Sequence, residues 1–205
     1  MSAHLTTLVL VRHGETPANL DGVWHGSTDT PLTERGHAQA DRVADYITTK
    51  HGGASALYSS DLQRARNTAR PISAALGLDI RFDADLREYD LGAWEGKSYR
   101  ELHEQHGLWR QMREDPHFAP HGGESPLQVT ERFTAALHRI AASHAGELVV
   151  VVTHGGALSL GFGALIDGDF RRWHHVMDNC AVSELTLSPS PSLRSFNLTE
   201  HLAGV

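Results

Sequence analysis

The chain has 205 residues, 40% of them hydrophobic, with 18 basic and 25 acidic side chains and a net charge of −7 when the histidines are neutral. That length and apolar fraction suit one globular domain over 1–205, and an acidic chain without a long basic run is a poor wrapper of nucleic acid. A single cysteine, Cys180, excludes an intramolecular disulfide and a cysteine-based zinc cage and fits a reducing, cytoplasmic setting.

The opening "MSAHLTTLVLVRHGE" carries no basic leader and no small-residue cleavage site, so its apolar run reads as a first core strand at 5–11. A helix is predicted over 33–50, with Ala40, Val43, Ala44 and Ile47 on one face. "ALYSS" reads as a short strand, followed by a helix over 61–76 with Asp61 as its N-cap and Pro71 as a potential kink. "DIRF" is a further short strand. Residues 86–123 are less regular, with one helix around "SYRELHEQH".

Ser125 opens the clearest helix: it is an N-cap, Pro126 sits at N1 and Gln128 at N3 completes a capping box. "ELVVVVTHGG" holds four consecutive valines, the pattern of a strand buried on both faces, and feeds a glycine-led helix. That helix, "GGALSLGFGALI", is too short and too rich in glycine to cross a bilayer, and no other apolar stretch is longer. "LSPSPSL" marks a turn between two late strands, "CAVSELTL" and "LRSFNL". Strands alternating with helices give the expected class: a single three-layer α/β domain with a mostly parallel central sheet flanked by helices, and a small cap segment around 91–123.

Two predicted strands end in the same chemistry. The first stops at Arg12-His13-Gly14 and the valine-rich one at Thr153-His154-Gly155-Gly156. Ligands of open α/β sheets bind beyond the carboxyl ends of the strands, so both histidines can converge on one pocket. The glycines let backbone N–H groups approach a ligand, and the helix after Gly156 aims its positive end at the same space, which favours an anion. Arg64, one turn into the helix after "ALYSS", can point back over a third strand end. With Arg12 it supplies bidentate forks for a phosphate. Glu88 sits in a loop near the same edge, where repulsion from a phosphate favours a protonated carboxyl, the state a general acid needs.

Taken singly these residues say little: a lone histidine at a strand end usually reaches solvent, Arg66 and Arg70 read as solvated, and "RHGE" arises by chance in about one chain of this size in a thousand. Most of the fifteen histidines read as surface or loop residues. The force of the pattern lies in four elements in order, each at the edge of a predicted strand or helix.

The motifs "LVRHGET", "DTPLTERGHAQA", "YSSDLQRARNTA", "LREYDLGAWEG", "GGES" and "VVTHGGAL" closely resemble the histidine phosphatase superfamily, also called the phosphoglycerate mutase-like family, over about three quarters of the chain. The resemblance implies His13 as the nucleophile that carries a phosphohistidine. It implies Arg12, Arg64 and His154 as holders of the phosphoryl oxygens, with Asn19 as a further donor. Glu88 would protonate the leaving oxygen and then assist water, and Ser59 would support the pocket from behind. Gly155, His25 and Gly26 would border the substrate, and Trp24, Trp94, Trp109 and His121 could line the mouth. No metal and no cofactor is expected, because the arginines and the second histidine take that part.

The family contains both mutases and phosphatases. Bisphosphoglycerate-dependent mutases carry "ERHYG" where this chain has "REYDLG", and a longer insertion follows; the short 88–122 segment here favours a cofactor-independent phosphomonoesterase. "EDPHFAPHGGES" resembles sugar-acid phosphatases such as the glucosyl-3-phosphoglycerate phosphatases. The expected partner is a small phosphorylated metabolite, with no nucleic acid and no membrane; a homodimer is compatible with the sequence. The alternatives are a phosphoglycerate mutase, an inactive phospho-ligand binder, and a metal-binding protein built on His103 and His106 or on His174 and His175. The full set of catalytic residues and the absence of a His-Glu-x-x-His spacing weigh against the last two.

Overall fold

The computed structural model describes residues 5–172 and 174–205; residues 1–4, part of the opening read above as leader-free, lie outside the described residues. Six strands form one sheet in the order β3-β2-β4-β1-β5-β6. They are β1 (Thr7–Arg12), β2 (Ala56–Ser59), β3 (Ile80–Phe82), β4 (Leu148–Thr153), β5 (Val182–Thr186) and β6 (Ser192–Leu198). β1, β2, β3 and β4 pair in parallel, while β5 runs antiparallel to both β1 and β6. The two late strands on either side of "LSPSPSL" are therefore a hairpin that extends a parallel sheet.

Strand alternation divides the core into two layers. Leu8, Leu10, Val149 and Val151 face α6 (Pro126–Ser143) and α7 (Gly155–Ile166), where Phe133, Leu137, Ile140, Leu158 and Phe162 meet them. Val9, Val11, Val150 and Val152 face α2 (Glu34–His51) and α3 (Gln63–Leu76), meeting Val43, Ile47, Ala65, Ala69 and Ile72. All four valines of the 149–152 run are fully buried, each worth about 1.5–3 kcal/mol relative to exposure. That is why an unbroken apolar run, and not an alternating one, marks this strand.

Most predicted elements form near their expected bounds. Ser125 caps α6, with the reciprocal Gln128 contact in place, and Thr33 caps α2 through the Gly36 N–H. Three points differ. Asp61 does not cap α3: its carboxylate is taken by Arg87, the N-cap is Leu62, and Asp29 Oδ1 accepts from the Gln63 N–H instead. Pro71 sits inside α3 without interrupting it. Two helices were not foreseen: α1 (Pro17–Asp21), opened by a Thr16/Asn19 capping box with Pro17 at N1, and α5 (Leu108–Glu114). α5 and α4 (Tyr99–Glu104) form the cap, and Leu102 and Leu108 bury into the same core as α6 and α7. The cap is thus fixed to the body beside the carboxyl ends of the strands. Among the described residues no helix is long and apolar enough to cross a membrane.

Candidate active site

β2, β4 and β1 are neighbours, and the register aligns Arg12 with Thr153 and Ser59 with Val152. The segments that follow them, with His13, His154 and Ser60, therefore leave the sheet along one edge. A cavity of about 590 Å³ opens there between the strand ends and the cap.

His13 lies in that cavity and is only 2% exposed. Its Nδ1 is 2.7 Å from the carbonyl oxygen of Gly14, which can only accept; Nδ1 therefore carries the proton and Nε2 keeps a lone pair. Burial, then the charges of Arg64 and Arg12, hold the ring well below the usual histidine range, so it is neutral at pH 7. Arg12 donates from Nη1 to the Met177 carbonyl, while its buried Nε has no partner. Burial lowers the Arg12 pKa, with Tyr99, Glu88, Asp178 and Cys180 pulling it back up.

Arg64 and His154 stand behind this pair. Arg64 is completely buried; Nη2 donates to the Gly26 carbonyl at 2.7 Å, Nη1 to the Thr28 carbonyl at 2.8 Å, and Nε to His154 Nδ1 at 3.2 Å. Two of its five N–H bonds are left over. Burial brings its pKa down to about 10, so it stays charged near neutrality. Because His154 Nδ1 accepts from Arg64, its Nε2 carries the proton and donates to Ser60 Oγ at 2.8 Å. Both nitrogens of His154 are thus held by the protein, although its ring centroid is 5.1 Å from that of His13. Neither Arg64 nor His154 lines the cavity.

Glu88 lines the same cavity. Its Oε1 accepts from the Tyr89 and Ala157 N–H groups and its Oε2 from that of Gly156, all at 2.8 Å. The carboxyl group thereby meets the first turn of α7 and takes up N–H groups that have no partner within the helix. A Cβ on Gly156 would come within 2.6 Å of Glu88 Oε1, so the bare glycine is what admits the carboxylate.

Of the other expected residues, Asn19, His25 and Gly155 line the cavity. Asn19 Oδ1 receives Thr16 and Asn179, and its Nδ2 donates to His25 Nε2 at 3.3 Å. Burial, then Arg64 and Arg12, bring the His25 pKa down to about 3. Gly26, Ser59 and His121 do not line it. Gly26 acts through its carbonyl on Arg64, and a Cβ there would strike the Tyr89 carbonyl at 2.0 Å. Ser59 Oγ turns away to the Ser60 carbonyl, so the serine behind the pocket is Ser60, one position later. His121 is exposed and contributes only a carbonyl, to the Ala93 N–H.

Trp24 and Trp109 reach the mouth, whereas Trp94 packs on His106 and Phe118. α4 ends at Glu104, so His103 and His106 do not share a helical face: the first packs on Trp109 and the second on Trp94. Sequence reading missed Ser60, Tyr99 and Asn179. Asn179 bridges the His13 carbonyl and Asn19, and Tyr99 lines the cavity. Only the second serine of "YSSD" gave a readable sign.

A three-layer α/β sheet with a neutral buried histidine, two arginines and a carboxylate at its strand ends defines a protein built to handle a phosphoryl group. The chain belongs to the histidine phosphatase superfamily (branch 1), whose family model matches residues 8–199. It is 42% identical over 156 residues to phosphoglycerate mutase-like protein 4 of Arabidopsis thaliana, covering 74% of this chain and 67% of that one. A glucosyl-3-phosphoglycerate phosphatase of Mycobacterium tuberculosis is 34% identical over 175 residues, 81% of this chain and 78% of that one. The solved structure of phosphoserine phosphatase from Entamoeba histolytica in complex with 3-phosphoglyceric acid superposes with a TM-score of 0.85 at 29% identity, over 96% of this chain and 99% of that one. Some relatives are longer: the chain spans 55% of the length of a bifunctional protein of Mycobacterium tuberculosis.

Proposed function

We propose that the chain is a metal-independent phosphomonoesterase acting on a small phosphorylated metabolite, as a single domain in the cytoplasm, through a phosphohistidine on His13. The observation that carries this reading is the His13 ring: neutral, with Nδ1 tied to the Gly14 carbonyl and Nε2 open to the cavity. Such a nitrogen attacks phosphorus in line without first losing a proton.

Arg12, which lines the cavity, faces the equatorial oxygens, and Arg64, buried behind the pocket and charged near neutrality, lends its positive charge from there. His154 touches both Arg64 and Ser60, so its part is to fix the Arg64 fork. In the first step the Nε2–P bond forms, the ester P–O bond breaks, and Glu88 gives its proton to the departing oxygen. In the second, water attacks phosphorus, Glu88 takes the proton from that water, and the P–N bond breaks. The names of relatives point to phosphorylated sugar acids and phosphoserine as the first substrates to try.

The test is hydrolysis of p-nitrophenyl phosphate by wild type and His13→Ala, with and without EDTA, followed by a panel of phosphorylated sugars, glycerates and amino acids. Wild-type turnover that survives EDTA and vanishes in His13→Ala is expected. Undiminished turnover in His13→Ala overturns the nucleophile, and loss in EDTA overturns the metal-free mechanism.

A further inference from the structure

Arg132, on α6, spends all five of its N–H bonds on one short segment and its partner. Nη1 donates to the carbonyls of Asp85 at 2.9 Å and Arg87 at 2.8 Å, and Nη2 to that of Glu88 at 2.9 Å. Its remaining donors make a bidentate pair with Glu124, Nε at 2.6 Å and Nη2 at 2.8 Å. Glu124 completes the grip, because its Oε2 accepts from the Asp90 N–H and its own N–H donates to the Asp90 carbonyl. The Leu86 carbonyl, the one gap in this series, is taken by Thr153 Oγ1 at 2.7 Å. Every carbonyl from 85 to 88 therefore ends on a fixed donor. The arginine side chain is 18% exposed and the glutamate 26%, so the pair is largely shielded from water.

The segment so held is the one that carries Glu88. Residues 84–86 form a single short 3-10 turn, and 87–91 have no regular structure of their own to hold them. We propose that Arg132, paired with Glu124, is a positioning device for the general acid: it fixes the backbone at Glu88 so that the carboxyl meets the departing oxygen. This rests on the reading of Glu88 as that acid. A lysine cannot replace the arginine, since an ammonium has three donors and no planar fork with which to span three carbonyls and a carboxylate. Proton transfer tolerates little misplacement, and about 1 Å of error costs on the order of 100-fold.

The experiment compares kcat/KM for p-nitrophenyl phosphate, whose leaving group needs little protonation, with that for an alkyl phosphate, 3-phosphoglycerate or glycerol phosphate according to which the wild type turns over. kcat/KM reports the step in which Glu88 gives its proton and not the later hydrolysis. Arg132→Lys is expected to lose about 100-fold on the alkyl ester and less than about threefold on p-nitrophenyl phosphate. Glu88→Gln should show the same skew, and the double variant Glu88→Gln/Arg132→Lys should lose nothing further on the alkyl ester.

Equal losses on both esters in Arg132→Lys, with Glu88→Gln still skewed, overturn the positioning role and leave the acid intact. Equal losses in Glu88→Gln itself overturn the acid. If Arg132→Lys fails to fold, Glu124→Gln carries the test, because it keeps the amide oxygen as an acceptor while loosening the pair. Its skew towards the alkyl ester supports the proposal, and a uniform loss contradicts it.

Discussion

His13 follows β1 and His154 follows β4, on neighbouring parallel strands, with their rings 5.1 Å apart. Both rings are buried, and both are held neutral by burial together with the arginines around them. Their hydrogen bonds separate them. His13 uses one nitrogen on its own loop and leaves the other to the cavity, whereas His154 uses both, on Arg64 and Ser60. Two sequence motifs of the same form thus give one ring with a nitrogen left to the cavity and one ring spent on an arginine and a serine. The lesson is that a strand-end histidine is read by where its second nitrogen goes.

The largest expected effect breaks the comparison at its reactive side. His13→Ala should cost at least ~10⁴-fold in kcat on any phosphomonoester that the wild type hydrolyses, as loss of a nucleophile does. His154→Ala should cost less, about 100-fold, because Arg64 loses its acceptor and its aim but the attacking nitrogen remains. Similar losses in the two variants would erase the distinction. A smaller effect separates the two serines. Ser60→Ala leaves the His154 Nε2–H buried without a partner, which should lower stability by about 1–3 kcal/mol and kcat by about tenfold. Ser59→Ala removes only a bond to the next carbonyl and should leave kcat within about twofold. Denaturant melts with parallel rate measurements check both serine variants.

The third ring of the group is tested through stability and not through rate. Above pH 6.5 His25 is neutral whether folded or unfolded. Below that the unfolded chain takes up a proton that the folded chain refuses down to about pH 3, so acid destabilises the fold. His25→Gln cannot titrate and should flatten the fall in stability by about 1.4 kcal/mol per pH unit between pH 6 and 4, measured by urea unfolding. An unchanged slope would place His25 outside the set of buried neutral rings.

Much of this was legible in the sequence because it follows from short-range rules. The valine run, the Ser125 capping box and the Arg12-His13-Gly14 strand end are local signals, and each lies in the structure where the pattern put it. What escaped was decided by partners distant in the chain. Asp61 lost its capping role to Arg87, 26 residues on, and Asp29 took the helix N–H from 34 residues away. The resemblance implies Gly26 at the border of the pocket and Ser59 behind it, but Gly26 acts through its carbonyl on Arg64, and the serine behind the pocket is Ser60, one residue on. Asn179 reaches His13 and Asn19 from more than 150 residues later, which no local pattern announces. α5 was hidden for another reason: it is only seven residues long and lies in the irregular cap.

The central claim is that His13, and not His154, takes the phosphoryl group. Rapid-quench peptide mapping of the wild-type enzyme during turnover of a labelled phosphomonoester tests it most directly. The label should appear on the peptide that contains His13, be absent in His13→Ala and persist in His154→Ala. Label on the His154 peptide, or steady turnover with no labelled histidine at any quench time, would contradict it.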